Sequence, residues 1–228
     1  MMRRNIALIP AAGVGARFGA GKPKQYVEIN GKTVLQHTIG IFEQHPRIDL
    51  IAVILSPEDS VFQTALSEKV RVFRVGGASR AETVRNGVSV LLEQGLAEAQ
   101  DNILVHDAAR CCLPAEALTR LLDEAGENDE GGILAIPVAD TLKRADGSHH
   151  IDETVARAGL WQAQTPQLFQ TALLHRALSV DDLSEITDEA SAVEKLGIRP
   201  RLVQGDTRNL KLTLPQDEYI VRLLLKAV

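Results

Sequence analysis

The chain has little cysteine, no long apolar run and no excess of positive charge. Each shortage removes a class of protein. Two cysteines occur in 228 residues, and they are neighbours, Cys111 and Cys112. Adjacent cysteines rarely meet disulfide geometry and no third is present, so a disulfide framework is not expected and a reducing, cytoplasmic setting is. The six histidines are scattered, and His149-His150 falls in a polar, turn-like stretch, so the Cys/His spacings of a structural zinc site are missing. No apolar stretch approaches the ~20 residues that span a bilayer. The basic start at Arg3-Arg4 leads into an apolar run that breaks at Pro10, which reads as a first strand rather than a signal peptide. A formal net charge of −5 offers no general attraction to nucleic acid or to an anionic membrane. Internal repeats, low-complexity tracts and linkers are also missing. Residues 1–228 therefore read as one domain, and a hydrophobic fraction of 45% argues against disorder.

What is present is concentrated at the start. A short apolar run at 6–9 empties into Pro10-Ala11-Ala12-Gly13-Val14-Gly15-Ala16-Arg17-Phe18-Gly19, followed by Gly21-Lys22-Pro23-Lys24-Gln25. Small residues let backbone N–H groups approach an anion, and fixed cations neutralise it, which is the chemistry of a triphosphate-binding loop. Two common phosphate loops do not fit. A Walker A loop would need a glycine where Ala16 stands and a hydroxyl where Pro23 stands. A dinucleotide fingerprint would need a glycine at 18 and an acid closing the second strand, but the next apolar run, 50–55, ends in Ser56-Pro57. The glycines alone are equally those of a plain βα turn. Arg17, Lys22 and Lys24 tip the balance, because a plain turn has no need of clustered cations.

Short apolar runs at 6–9, 50–55, 70–75, 102–106 and 133–138 predict buried parallel strands, and helical spacing predicts helices over 34–43, 60–68, 80–94 and 114–125. This alternation implies an α/β fold, a mostly parallel sheet with helices on both faces, and ligands bind beyond the carboxyl ends of such strands. Those ends carry the Gly-rich loop, Gly76-Gly77-Ala78-Ser79-Arg80, Asp107-Ala108-Ala109-Arg110, and Ala139-Asp140-Thr141. Residues 141–165 break the pattern. Asp146-Gly147 between extended, charged flanks predicts a hairpin arm too poor in apolar residues for a core of its own. Thr187-Asp188-Glu189-Ala190 predicts a helix start with the hydroxyl as cap. Further strands are expected at 201–203 and 210–212, and a closing helix over 214–228 with Pro215 in its first turn.

Single residues leave two readings each. Asp107, at a strand end, suits a divalent cation or a helix N-cap, and it also suits pairing with Arg110. Gly76-Gly77 implies close approach of backbone to a ligand, or a tight turn. Arg80, Arg85 and Lys211 read as ligands or as solvated surface charge.

In order along the chain, the motifs resemble the 2-C-methyl-D-erythritol 4-phosphate cytidylyltransferase family, a nucleotidyltransferase branch with a Rossmann-like fold. The resemblance runs from about Ile6 to Lys211. It rests on the opening loop through Arg17, Pro23-Lys24-Gln25-Tyr26, Val105-His106-Asp107-Ala108-Ala109-Arg110, Gly131-Gly132-Ile133-Leu134-Ala135 and Asp140-Thr141-Leu142-Lys143. Trp161-Gln162-Ala163-Gln164-Thr165-Pro166-Gln167 and Ile186-Thr187-Asp188-Glu189-Ala190-Ser191 add to it. The resemblance implies that Pro10, Ala11, Ala12, Gly13 and Gly15 cradle the triphosphate of CTP, with Arg17 and Lys24 as catalytic cations. It implies that Gly77, Ala78 and Thr83 frame the cytosine, that Ala108 binds the nucleotide, and that Asp107 lies beside the ribose or substrate hydroxyls and a Mg²⁺ held mainly by phosphates. Thr141, Arg157, Thr165 and Lys211 would serve the methylerythritol phosphate. The arm would reach across a homodimer, so that Arg157 completes the partner's site. Two positions depart from the pattern: Ala78 stands where many relatives carry an acid, and Cys111 where proline commonly follows.

The nucleophile implied is a phosphate monoester oxygen. With a second pKa near ~6 it is already ionised at neutral pH and needs no general base. Three competing readings are open to test: a cytidylyltransferase for another polyol phosphate such as ribitol 5-phosphate, a dinucleotide-dependent oxidoreductase, and a non-catalytic nucleotide sensor.

Overall fold

The computed structural model describes residues 3–13, 23–63 and 67–226. The first strand, β1 (Asn5–Pro10), is followed after the opening loop by a 3₁₀ turn at Lys24–Tyr26, the short ribbon β2 (Glu28–Ile29) and β3 (Lys32–Thr33), and helix α1 (Val34–Gln44). Then come β4 (Leu50–Ile54), β5 (Val70–Phe73), α2 (Arg80–Glu93), β6 (Asn102–Val105), α3 (Ala115–Ala125) and β7 (Gly132–Pro137). The arm strands β8 (Leu142–Ala145) and β9 (Ile151–Val155) precede the long strand β10 (Trp161–Gln170), α4 (Thr171–Leu178), α5 (Glu189–Glu194), β11 (Arg201–Gln204) and α6 (Asp217–Leu224). Among these helices none is long and apolar enough to cross a membrane.

The main sheet has the order β11-β7-β10-β6-β1-β4-β5. Parallel pairing joins β1 to β4 and β6, β4 to β5, and β7 to β11, while β10 runs antiparallel between β6 and β7. The expected mostly parallel sheet is therefore present, with one reversed strand inside it. The chain runs outward from β1 through β4 to β5, then returns to lay β6 on the other side of β1. That reversal is the switch point at which a crevice opens beyond the strand ends.

Alternate residues of each buried strand face opposite layers, as the pleat requires. Ala7 and Ile9 of β1 join Phe42 of α1 and Leu118 of α3 on one side. Ile6 and Leu8 join Val84 and Val88 of α2 and Leu174 of α4 on the other. Helix starts follow local chemistry. Thr33 and Gln36 form a reciprocal capping box at α1, and the Ser79 hydroxyl accepts the Glu82 amide at α2. At α5 the cap is Asp188 in a box with Ser191, not Thr187 as the sequence suggested. The carboxylate accepts the Ser191 amide at 2.9 Å.

Two other expectations fail. Residues 60–63 and 67–69 are not helical, and 64–66 lie outside the described residues. Asp59 accepts the amides of Val61 and Phe62, so its side chain organises that segment as a turn. Residues 210–212 form no strand; the Leu212 amide makes a single bond to the Ala109 carbonyl at 2.9 Å. The hairpin arm is present as predicted: β8 and β9 pair antiparallel around a turn in which the Asp146 carboxylate accepts the amides of Ser148 and His150. It forms its own two-stranded sheet and leaves Ile151 66% exposed. The closing helix is shorter than expected, with Pro215 just ahead of it.

Candidate active site

A cleft of about 650 Å³ opens over the carboxyl ends of β1 and β6 and the start of α2. Of the residues expected at the nucleotide, Pro10, Ala11, Ala12, Gly13, Gly77, Ala78, Thr83, Asp107 and Ala108 all line it. Lys24 and Lys211 line it too. Gly15 and Arg17 lie outside the described residues. Thr165 is buried beneath the Asp107 loop, and Thr141 and Arg157 are exposed on the arm, so none of these three lines the cleft.

The opening loop is fixed from behind by Gln25, which sequence reasoning did not single out. Its buried side-chain amide donates to the carbonyls of Ala11 and Gly13 at 3.0 and 2.8 Å. Gln25 follows Lys24 directly, so the same 3₁₀ turn that anchors the loop presents the lysine. The Lys24 ammonium donates to the Leu212 carbonyl at 3.2 Å. The second loop packs on the first. A Cβ on Gly76 would lie 2.3 Å from the Ala12 Cβ and 2.7 Å from the Leu55 carbonyl oxygen. The close approach read from Gly76 is thus to the protein itself, the Ala12 side chain and the Leu55 carbonyl.

Beyond Gly76 the amides are engaged. Gly77 donates to the Thr83 hydroxyl at 3.1 Å, and Ala78 donates to the Glu82 carboxylate at 2.9 Å. Glu82 thereby brings an acid to the segment where Ala78 lacks one. With the amides so used, the carbonyls are what this segment has to offer a base's amino group.

Asp107 is the electrostatic centre. Arg80 Nε donates to its Oδ1 at 2.8 Å, Lys211 Nζ lies 2.8 Å from its Oδ2, and Arg110 Nε lies 3.7 Å from the same oxygen. Burial pushes this carboxyl up, but Arg80, Lys211 and Arg110 outweigh it and hold it well below the usual carboxylate range. Arg80 is not a solvated surface charge. Its Nη1 and Nη2 grip both oxygens of the fully buried Glu189 at 2.6 and 3.0 Å. Burial raises the Glu189 carboxyl above its ordinary value, and Arg80 partly opposes this. The pair leaves no local signal in the sequence, because 109 residues separate its members.

The cleft wall therefore presents Lys24, Arg80 and Lys211 against one carboxylate, Asp107. This local positive field sits in a protein of net charge −5, which suits a polyanionic ligand. The donor set also bears on a metal. Among the described residues no cluster of three His, Cys, Asp or Glu side chains can hold an ion. Both Asp107 oxygens face cations, so the residues fit a divalent ion carried by phosphates with one carboxylate nearby, and not a protein cage.

A mostly parallel sheet of this order, with a basic cleft across its switch point, is the architecture of a nucleotidyltransferase. The family model described as IspD, 2-C-methyl-D-erythritol 4-phosphate cytidylyltransferase, matches residues 5–227. A relative of that name from Neisseria meningitidis is 71% identical over 231 residues, covering 100% of both chains. A crystal structure of a 4-diphosphocytidyl-2C-methyl-D-erythritol synthase superposes with a TM-score of 0.89 at 65% identity, covering 99% of this chain and 100% of that one. The Francisella tularensis 2-C-methyl-D-erythritol 4-phosphate cytidylyltransferase gives 0.82 at 32% identity, covering 97% and 99%. The chain belongs to the 2-C-methyl-D-erythritol 4-phosphate cytidylyltransferase family.

Proposed function

We propose that this enzyme, a single domain over residues 1–228, transfers the cytidylyl group of CTP to 2-C-methyl-D-erythritol 4-phosphate. The products are 4-diphosphocytidyl-2-C-methyl-D-erythritol and pyrophosphate, in isoprenoid precursor synthesis in the cytoplasm. The observation that carries the reading is the convergence of Lys24, Asp107 and Lys211, from three distant segments, on one cleft walled by the 10–13 and 77–78 loops.

In this reading the acceptor's monoester oxygen attacks the α-phosphorus of CTP. A P–O bond forms there, the bond from α-phosphorus to the bridging oxygen breaks, and pyrophosphate leaves with that electron pair. The attacking oxygen is already anionic, so the barrier is set by repulsion between polyanions and by charge building on the α-phosphoryl oxygens. Lys24 and Arg17 counter that charge, and preorganised cations of this kind supply most of the acceleration in such transfers. Mg²⁺, carried in on the triphosphate beside Asp107, would supply further neutralisation. Gly77, Ala78 and Thr83 receive the base, with carbonyls that favour the cytosine amino group over a uracil oxygen. Asp107 and Ala108 receive the ribose. Lys211 faces the acceptor phosphate, and Thr165 serves the acceptor from beneath through the loop it holds.

Thr141 and Arg157 act on the partner's cleft in a homodimer. Supporting this are their absence from the lining of their own cleft and the exposed apolar Ile151, Leu160 and Trp161 at 66, 39 and 38% along the arm, which a second subunit would cover. The test is an acceptor panel with CTP. Methylerythritol phosphate should support pyrophosphate release at a kcat/KM at least about a hundredfold above ribitol 5-phosphate. The reverse order would overturn the acceptor assignment.

A further inference from the structure

Glu189 plays no part in the chemistry above, yet it is buried to 1% exposure within reach of the cleft's charged centre. Its backbone is fixed to the sheet. The Gln167 side chain of β10 accepts the amide of Ala190 at 2.8 Å and donates to Asp188 at 2.8 Å, so the start of α5 cannot drift from the strand. From that anchor Glu189 takes both terminal nitrogens of Arg80 in a two-pronged grip, the geometry that fixes a guanidinium plane as well as its position. The remaining nitrogen, Nε, is thereby aimed at Asp107 Oδ1.

The location of Arg80 makes this grip consequential. It is the first residue of α2, where the positive end of the helix dipole disfavours a cation. It follows directly on Gly77-Ala78-Ser79, and its side chain is 29% exposed where it lines the cleft. Without Glu189 the guanidinium would keep one carboxylate and gain a triphosphate as a competing partner. Turning toward that anion would strip Asp107 of its Oδ1 donor and drag the 77–79 segment with it. Stability alone is a weak reason for such a pair, since a buried ion pair often gains nothing over apolar residues of the same volume.

We propose that Glu189 is a positioning residue for the nucleotide: by gripping Arg80 it holds the base-side segment and Asp107 in the arrangement that receives CTP. This rests on the cytidylyltransferase reading. It concerns the nucleotide and not the acceptor, which gives it a distinct signature. The removal of the charge in Glu189→Gln should raise KM for CTP by at least about tenfold, the loss of one charged hydrogen bond, while KM for methylerythritol phosphate moves by less than about threefold. Arg80→Lys keeps the charge but not the fork, and should show the same selective rise; it decides the matter if Glu189→Gln does not fold. In the double variant the two effects on KM for CTP should fall well short of multiplying.

CTP binding measured by calorimetry without acceptor separates the cytidylyltransferase function from the positioning role of Glu189. A wild-type enzyme that binds no CTP would sink the functional reading. A wild-type enzyme that binds CTP, with both variants binding it as tightly, would overturn the positioning role alone. So would a loss confined to melting temperature, or equal rises in KM for both substrates.

Discussion

The Thr165 hydroxyl lies 3.0 Å from Nδ1 of His106 and accepts the amide of Asp107 at 3.1 Å. On the other side of the ring, Nε2 lies 2.9 Å from the Arg110 carbonyl, which can only accept. The tautomer is thus fixed: Nε2 carries the proton and Nδ1 accepts from Thr165. One neutral imidazole, packed edge-on against Phe42 at 5.1 Å, closes the 106–110 loop on itself and ties it to β10. Thr165 reaches this position because β10 shifts register between Ala163 and Gln167, which re-aims the side chains between them.

The neutral ring predicts an acid-sensitive fold. Burial lowers the His106 pKa from 6.5 to about 4, only partly opposed by the Arg110 carbonyl and the Asp107 charge. Between those values the unfolded chain binds a proton that the folded chain does not, so stability falls as pH drops through this window, by up to about 1.4 kcal/mol per unit. His45, also lowered, chiefly by burial, acts in the same sense, while the raised Glu189 opposes at the acid end. Urea unfolding of wild type and His106→Gln at pH 7 and pH 5 isolates the one ring. The wild type should lose more stability between the two pH values than the variant, and equal losses would show that His106 does not set the acid sensitivity.

Gly76→Ala should disturb the cleft without touching a catalytic group. The new Cβ would meet Ala12 and the Leu55 carbonyl at well under contact distance, and backbone cannot step aside cheaply. Overpacking of this kind costs about 1–3 kcal/mol. Thermal unfolding should show that loss, and KM for CTP should rise as the two loops part. An unchanged Tm would mean that the loops accommodate the methyl.

The parallel strands were legible because strands buried on both faces leave continuous apolar runs, as in β1, β4 and β6; of the helices expected between them α1, α2 and α3 are present, whereas the described part of 60–68 is not helical. β10 was not, because Gln164 and Gln167 are buried with internal partners, Asp206 and Asn209 for the first and Asp188 and Ala190 for the second. Polar residues satisfied inside a sheet look like loop in a sequence. The cleft residues Lys24, Gly77, Asp107 and Lys211 could be picked out by strand-end position and family resemblance. The Arg80–Glu189 grip could not, since pairing across the fold leaves no local trace. Nor could Gln25, whose role lies in two backbone carbonyls and not in any side-chain pattern.

Lys24→Ala should lower kcat by about a hundredfold or more, with a smaller change in KM for CTP, because one preorganised donor to developing charge contributes about 3–4 kcal/mol. Arg17→Ala should behave likewise. Steady-state kinetics at saturating acceptor give the split. Lys22, equally close in sequence but outside the family pattern, is the control and should matter less; a kcat near wild type in Lys24→Ala would end its catalytic assignment.

Shared sites make a prediction that no single-chain site makes. If the arm of one subunit completes the site of another, the Arg157→Ala and Lys24→Ala enzymes should each be weak, yet mixing them with subunit exchange should restore activity. The mixed dimer pairs one site lacking both residues with one lacking neither. Mixtures no better than the parents, with exchange demonstrated by mass, would place Arg157 outside the partner's site.

The proposed reaction transfers the cytidylyl group of CTP to a polyol phosphate in the cleft beside Lys24 and Asp107. Phosphorus NMR of the enzyme with CTP, methylerythritol phosphate and Mg²⁺ tests it most directly. A new diphosphodiester and free pyrophosphate should appear in equal amounts, only when both substrates are present. Turnover of CTP to CDP or CMP, or pyrophosphate release that ignores the acceptor, would contradict it.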